Sequence, residues 1–539
     1  MKLTAEQQDA VEFTENLVIT ACPGSGKTTI LTHKISQVLT DCRAHQGVVS
    51  LSYTNKSSDE LKARCINLSK DIKASFFGTT DKFLLSEIVM PFIRHIWSCP
   101  SAGPEVIKAS NLDAEDREIL TPYYMPDNLP ENNTEQGMAA LERLYVRGMI
   151  ILEMVPLMAL YIMSESIACQ RYLKVRYKGI FVDEYQDTGF FAHQIFRLIA
   201  GLGIKLTVVG DVDQSIYLYA HRSADSLKDF IRHPDFTHKK ITLNHRCHPS
   251  IINYANRLKD PDCMLLDSDS VVVYHKSVTG DQASIAAWID ARVAGLKKHF
   301  SIESNKDIAV LVRSNLCAEL IADNLRTASR TYLDDNLSKA GDKVSGLVKA
   351  LLHYRYNKKT TVQLVLDDYL SAVSKRSDVV LTRKLIRQVR VTSDARLPEA
   401  IRRAVFSCTG CDLSETHITG INDVVTVPRI RNNYLHIRDD EVQIMTLHKS
   451  KGLEFDVVIH LDLYDWVLPA REYVKGSYDV IFQNEQQCLN LHYVGVTRAR
   501  KGVILVHSTK RYNANRELKT GNPSQFLTRP GLKGLYKEL

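Results

Sequence analysis

The stretch ACPGSGKTT, residues 21–29, constrains the fold of this chain more than any other segment. It follows the apolar run NLVITA and precedes TILTHKISQVL, whose periodicity predicts a helix. Between strand and helix, Pro23, Gly24, Ser25, Gly26, Lys27, Thr28 and Thr29 form a turn in which glycines let backbone N–H groups point inward around phosphate oxygens. Lys27 is placed to reach the β and γ phosphates of a nucleotide, and Thr28 to hold Mg²⁺. Ala21 stands where a first glycine is usual. A ligand-free glycine turn is the competing reading, and a GSGKT core between a strand and a helix favours the phosphate loop.

A strand that ends in such a loop belongs to a parallel sheet, with its functional loops at the carboxyl ends of the strands. Three further runs fit the same sheet: GVVSLSY, GIFVDE and KLTVVGD. A later set, DIAVLVRSN, EVQIMTL, FDVVIHLDL and KGVILVHS, predicts a second α/β core. At 539 residues the chain is too long for one core. Apolar residues at 44% and charged residues at 24% describe an ordinary globular protein. A net charge of +7 tolerates a polyanionic partner without demanding one. Eleven cysteines at scattered spacings include one lone CxxC, Cys408 and Cys411, with no second pair to complete a zinc site.

The start, MKLTAEQQDAVEF, lacks the pattern of a secretory signal. The most apolar run, GMIILEMVPLMALYIM, is too short for a bilayer and contains Glu153 and Pro156. It is expected to be a buried, kinked helix, and the protein is expected to be cytoplasmic.

A triphosphate site needs a metal carboxylate and a group that activates water. GIFVDEYQDT supplies both: Asp183 for Mg²⁺ and Glu184 as general base. The third strand gives VVGDVDQSIYLYA, where the Gln214 amide is suited to sense a γ-phosphate or position water. Tyr217 and Tyr219 lie close by, readable either as packing or as base-stacking platforms.

Taken together, these segments resemble the UvrD/Rep/PcrA-type superfamily 1 DNA helicases, in the family's motif order and over most of the chain. LTAEQQDAV is similar to the opening adenine-recognition segment, with Gln7 at the glutamine position. SLSYTNKSSDELKARC places Tyr53, Thr54 and Asn55 where the family contacts single-stranded DNA. FFGTTDKF resembles a further DNA-contacting motif, with Asp81 in place of its histidine. LNHRCHPSIINYAN corresponds to the Asn-Tyr-Arg-Ser segment, so Arg246 is expected to reach the γ-phosphate from the second core and His245 replaces the adenine-stacking tyrosine. VQIMTLHKSKGLEFDVVI is similar to the fifth motif, with Thr446 and His448 facing DNA and Glu454 by the nucleotide. LHYVGVTRARKGVILV is similar to the last, with Arg498 as a second arginine finger beside Tyr493. Two departures stand out. The acidic-basic run before Tyr493 is replaced by EQQCLNLHY, and AHRSAD after Tyr219 does not match Arg-Gly-Ala cleanly.

The resemblance implies two RecA-like cores of the P-loop NTPase class, each with a mainly helical insertion. Residues 1–83 and 173–244 are expected to form the first core, with 84–172 inserted. Residues 245–335 and 436–539 are expected to form the second, with 336–435 inserted. The second insertion is basic, with twelve Lys/Arg against five Asp/Glu from Arg355 to Arg403. Both insertions are short for the family, a layout that compact UvrD-like members of anti-phage systems, such as the Gabija helicase subunit, resemble. The implied activity is ATP- and Mg²⁺-dependent 3′ to 5′ movement on single-stranded DNA or tailed duplex, driven by closure and opening of the cores. A DNA-end-sensing NTPase or motor subunit is the alternative. The chain carries no nuclease motif, so a nuclease would come from a partner protein.

Overall fold

The computed structural model describes residues 3–98, 100, 103–124, 134–216, 224–340, 343–369, 376–472 and 481–539. The chain folds as two compact units. The first comprises Met1–Cys247 with Gln486–Tyr493, and the second His248–Glu485 with Val494–Leu539.

Six strands form the sheet of the first unit: β1 (Leu17–Ala21), β2 (Gly47–Ser52), β3 (Phe76–Thr79), β4 (Tyr177–Val182), β5 (Lys205–Gly210) and β6 (Thr237–Ile241). Their order is β3-β2-β4-β5-β1-β6, and every pairing is parallel. Helices cover both faces, so β2 is buried at all six positions and β5 at five of six. The edge strand β6, THKKI, is mostly outside the core, which is why its sequence carries no apolar run.

The segment expected as the first insertion is mainly helical but shares its core with the sheet. One continuous apolar cluster runs from Val18, Val49 and Val208 through Phe83, Trp97 and Leu144 to Met158. It opens with a π-helical turn, Leu84–Val89. The apolar run expected as one kinked helix is divided. Met149–Ile151 is a strand paired in parallel with Glu105–Ile107, and a helix then covers Val155–Glu165. Pro156 sits in the first turn of that helix, where its missing N–H costs no hydrogen bond, so it starts a helix instead of bending one. The run is buried as expected, with Ile150, Met154, Met158 and Met163 inside. Among the described residues no single helix is long and apolar enough to cross a membrane.

The second unit holds a seven-stranded sheet: β7 (Val273–Val278), β8 (Ile308–Val312), β9 (Ser329–Tyr332), β10 (Val442–Thr446), β11 (Phe455–His460), β12 (Ala499–Ser508) and β13 (Lys537–Glu538). The order is β9-β10-β8-β11-β12-β7-β13, again parallel throughout. These are the two parallel sheets expected of an α/β chain with paired RecA-like cores. Between β9 and β10 the chain forms helices that close a separate core of their own, built on Leu337, Leu351, Ile386, Ile401 and Val424.

Two buried histidines make this second sheet acid-sensitive. His460 on β11 is wholly buried, and burial holds its pKa down to about 4. His507 on β12 is held to about 4 by burial and by His275, whose ring stacks on it at 5.0 Å. Unfolded imidazoles bind protons near pH 6.5, so the unfolded chain takes up protons that the folded one refuses. Stability from these groups is therefore complete above pH 6.5 and falls as pH drops toward 4. The buried Asp462 carboxyl, raised by burial, works in the opposite sense. Thermal unfolding followed at pH 7.0 and 5.0 is expected to show a lower transition at 5.0, with the difference reduced in His460→Gln.

Candidate functional site

In the first unit β4, β5 and β1 are consecutive neighbours running the same way. The loops after them, Cys22–Gly26, Asp183–Asp187 and Asp211–Gln214, therefore leave one edge of the sheet together.

The loop after β1 turns through two left-handed glycines, Gly24 (φ 73°) and Gly26 (φ 81°). Gly26 opens the helix Lys27–Thr40 without a capping side chain, so the first-turn amides are left for an outside acceptor. Ser25 is fully buried, and its Oγ has no hydrogen-bond partner among the described residues. The Lys27 ammonium donates to the Ala21 carbonyl at 3.2 Å. Gln7, fully buried, donates through Nε2 to the Ser25 carbonyl at 2.9 Å and accepts the Thr4 N–H at 3.0 Å. Its amide thus braces the loop. Lys34 holds the helix that carries Gln7, donating to the carbonyls of Ala10 and Phe13. Burial, with help from Lys239, lowers the Lys34 pKa to about 8.

A second segment packs directly on this loop. The His245 N–H donates to the Gly24 carbonyl at 2.9 Å. Asn244 Oδ1 accepts the N–H groups of Arg246 and Cys247 at 2.8 and 3.0 Å. A Cβ added at Gly24 would lie 2.4 Å from Arg246 Cβ and 2.6 Å from Asn244 Oδ1. His245 and Arg246, expected on the second core, thus belong to the first unit. The physical reason is this backbone seam, in which glycine leaves room for the segment after β6.

The loops after β4 and β5 are joined by one side chain. Gln186, fully buried, accepts the Asp211 N–H through Oε1 at 2.9 Å and donates through Nε2 to Glu184 Oε2. Asp211 in turn accepts from Gln214 Nε2 at 2.7 Å and from the Asp213 N–H at 3.0 Å. Glu184 sits in the left-handed region (φ 53°, ψ 42°), an unusual and strained place for a residue with a side chain. The Glu184 N–H donates to Asp183 Oδ1 at 2.9 Å, and the Asp183 N–H to the Leu51 carbonyl at 2.9 Å. Beneath them, Tyr185 bonds His193 at 2.9 Å, and His193 pairs with Asp229 at 3.0 Å. Gln487 and Asn490 donate to the Ile216 and Ser215 carbonyls at 2.9 and 3.0 Å, tying Gln486–Tyr493 to the end of the Asp211 loop. Buried Tyr493 lies near Asp211, its hydroxyl pushed far above the usual range chiefly by burial.

Among the remaining expected residues, Tyr53 is 37% exposed. Thr54 caps the helix Asn55–Ser69 by accepting the Ser57 N–H at 3.1 Å. Asp81 stands in the first turn of Thr80–Phe83. Tyr217 and Tyr219 lie outside the described residues. In the second unit, Thr446 ends β10 and accepts the Lys449 N–H at 3.4 Å, with His448 half-buried beside it. Glu454 is exposed and pairs with Arg500 at 2.5 Å. Arg498 is only 2% exposed, its guanidinium donating to the Val494 and Leu453 carbonyls at 3.1 and 3.3 Å. Among the described residues no three His, Cys, Asp or Glu side chains form a metal cage.

Sequence reasoning missed Gln186, Asp211 and Asn244. Gln186 is visible in DEYQD, but its role appears only when two strands are set side by side.

The AAA domain family matches residues 7–220, and the UvrD-like helicase C-terminal domain matches residues 330–510. With the two parallel sheets, these matches support a UvrD-like superfamily 1 helicase. It is 26% identical to the Gabija protein GajB of Bacillus cereus, over 92% of this chain and 94% of that protein. It is 22% identical to the ATP-dependent DNA helicase Rep of Buchnera aphidicola, over 98% and 96%. Its identity to the ATP-dependent DNA helicase PcrA of Staphylococcus aureus is 21%, over 97% and 86%.

Gly24→Ala adds both a disfavoured φ and a clash with backbone-anchored atoms. It is expected to cost about 1–3 kcal/mol. Gly103→Ala, whose added Cβ meets nothing within 4 Å, is expected to leave stability unchanged. Denaturant midpoints at constant m-value measure both.

Proposed function

We propose that this protein is an ATP-dependent DNA helicase that translocates 3′ to 5′ along single-stranded DNA. One observation carries the nucleotide part: the Glu184–Gln186–Asp211–Gln214 chain, set beside an uncapped helix N-terminus and the orphaned Ser25 hydroxyl. A nucleoside triphosphate fits these residues. The first-turn amides and Lys27 bind its phosphates, with Pro23, Gly24, Ser25, Gly26 and Thr29 shaping the cradle. Thr28 and Asp183 would hold Mg²⁺, which supplies charge neutralisation on the phosphate oxygens.

Within that frame each side chain has a task. The Glu184 carboxylate accepts the proton of the attacking water, whose oxygen bonds the γ-phosphorus as ADP leaves. Gln186 fixes Glu184, and Gln214, itself held by Asp211, reports the γ-phosphate. Arg246, anchored at the phosphate loop, and Arg498 supply guanidinium charge for the phosphoryl oxygens. Gln7 and His245 take the base side, and Glu454 lies by the nucleotide. Tyr53, Thr54, Asn55, Tyr217, Tyr219, Thr446 and His448 are assigned to single-stranded DNA, where aromatic stacking contributes roughly 1–3 kcal/mol per base.

A second reading rests on the match to Gabija protein GajB, 26% identical over 92% of this chain. On it, the chain is the cytoplasmic motor or end-sensing subunit of an anti-phage complex with a nuclease partner, and unwinds weakly alone.

ATP turnover is expected to rise with single-stranded DNA and to fall at least about hundredfold in Lys27→Ala. Gln186→Ala should lower kcat about tenfold with little change in KM, because Glu184 loses its brace. Strand displacement on 3′-tailed but not 5′-tailed duplexes supports the polarity. Absence of DNA stimulation would defeat the helicase reading, and displacement only with a co-purified nuclease would favour the second.

A further inference from the structure

A cleft of about 640 Å³ lies wholly in the second unit, between the start of β9 and the turn after the helix Lys343–Tyr356. It sits at the amino ends of β9 and β10, the opposite end of those strands from Thr446 and His448. Its volume suits a small-molecule ligand.

The lining is strongly basic. Arg330, Lys358, Lys359 and Arg438 face one carboxylate, Glu441, with His436 beside them. Arg330 is 2% exposed and held rigidly: it pairs with Glu441 at 2.8 Å and donates to the Leu435 carbonyl at 2.8 Å and the His436 carbonyl at 3.3 Å. Its Nε nevertheless has no partner among the described residues. The same is true of the buried hydroxyl of Tyr356 in the same lining. Arg438 is partly neutralised by Asp440 at 3.1 Å and Glu441 at 3.6 Å. Lys359 donates to His436 at 2.9 Å, a neutral partner that leaves the ammonium charge uncompensated. Lys358 and Lys359 are both exposed at the rim. The two exposed ammonium groups, with Arg438 and the His436 ring beside them and the Arg330 guanidinium, saturated at both terminal nitrogens, fixed behind, form a receptor for a multivalent anion with several acceptor oxygens.

We propose that this cleft is a second phosphate-binding site, distinct from the glycine loop, that takes the phosphate groups of a free nucleotide or of a nucleic-acid strand. The ring of Tyr356 flanks the bound group.

Lysine acylation of the full chain, read by mass spectrometry, tests this with ATP, with a single-stranded oligodeoxynucleotide, and with sodium sulfate at matched ionic strength. Slower acylation of Lys358 and Lys359 with ATP assigns a free nucleotide. Slower acylation with the oligonucleotide assigns a nucleic-acid strand, and slowing by both assigns their shared phosphate chemistry. Lys359→Gln, at an exposed position, is expected to weaken binding at Lys358 about tenfold, the loss of one charge-assisted hydrogen bond. Protection of Lys27 in the same spectra reports the glycine loop independently. No protection at Lys358 and Lys359 by either probe, protection that sulfate reproduces, or protection indifferent to Lys359→Gln overturns the proposal.

Discussion

Parallel hydrogen bonding between β5, β1 and β6 is the constraint on which the first unit rests. Parallel neighbours cannot be joined by a hairpin, so the chain must cross back over the sheet after each strand. Those crossovers bury both faces and deliver the carboxyl-end loops to one edge. The phosphate loop, the acidic turn and the Asp211 loop meet because β4, β5 and β1 are adjacent in space, although they are far apart in sequence. Gln186 then locks two of these loops together, and Gln7 and the His245 backbone N–H lock the third from either side.

Much of this was legible beforehand. Strands buried on both faces must be apolar throughout, so NLVITA, GIFVDE, KLTVVGD and DIAVLVRSN announce themselves, and the loop chemistry at their ends follows from residue type. Less legible were the strands that lie at edges or beside gaps, such as THKKI and SRTY, whose polar residues match no template. The run around Pro156 misled because proline both bends and begins helices. Only the packing of Met149–Ile151 beside Glu105–Ile107 decides which.

The site divides along the same line. Lys27 and Thr28 could be chosen from one strand and its loop, and Asp183 and Glu184 from another. Gln186 and Asp211 act between loops, and no single motif carries that information. Arg246 shows the difference sharply: motif order suggested the second core, whereas the close approach at Gly24 anchors it to the first. The two insertions also diverge in a way composition hides, one sharing the sheet's core and the other closing its own.

Glu184 occupies a backbone conformation in which glycine is the relaxed residue. Substituting glycine there would ease the peptide geometry while deleting the carboxylate held by Gln186. The chain therefore forgoes the sturdier choice at that position, and a screen selecting only for heat resistance would drift toward a protein that is tougher and chemically mute.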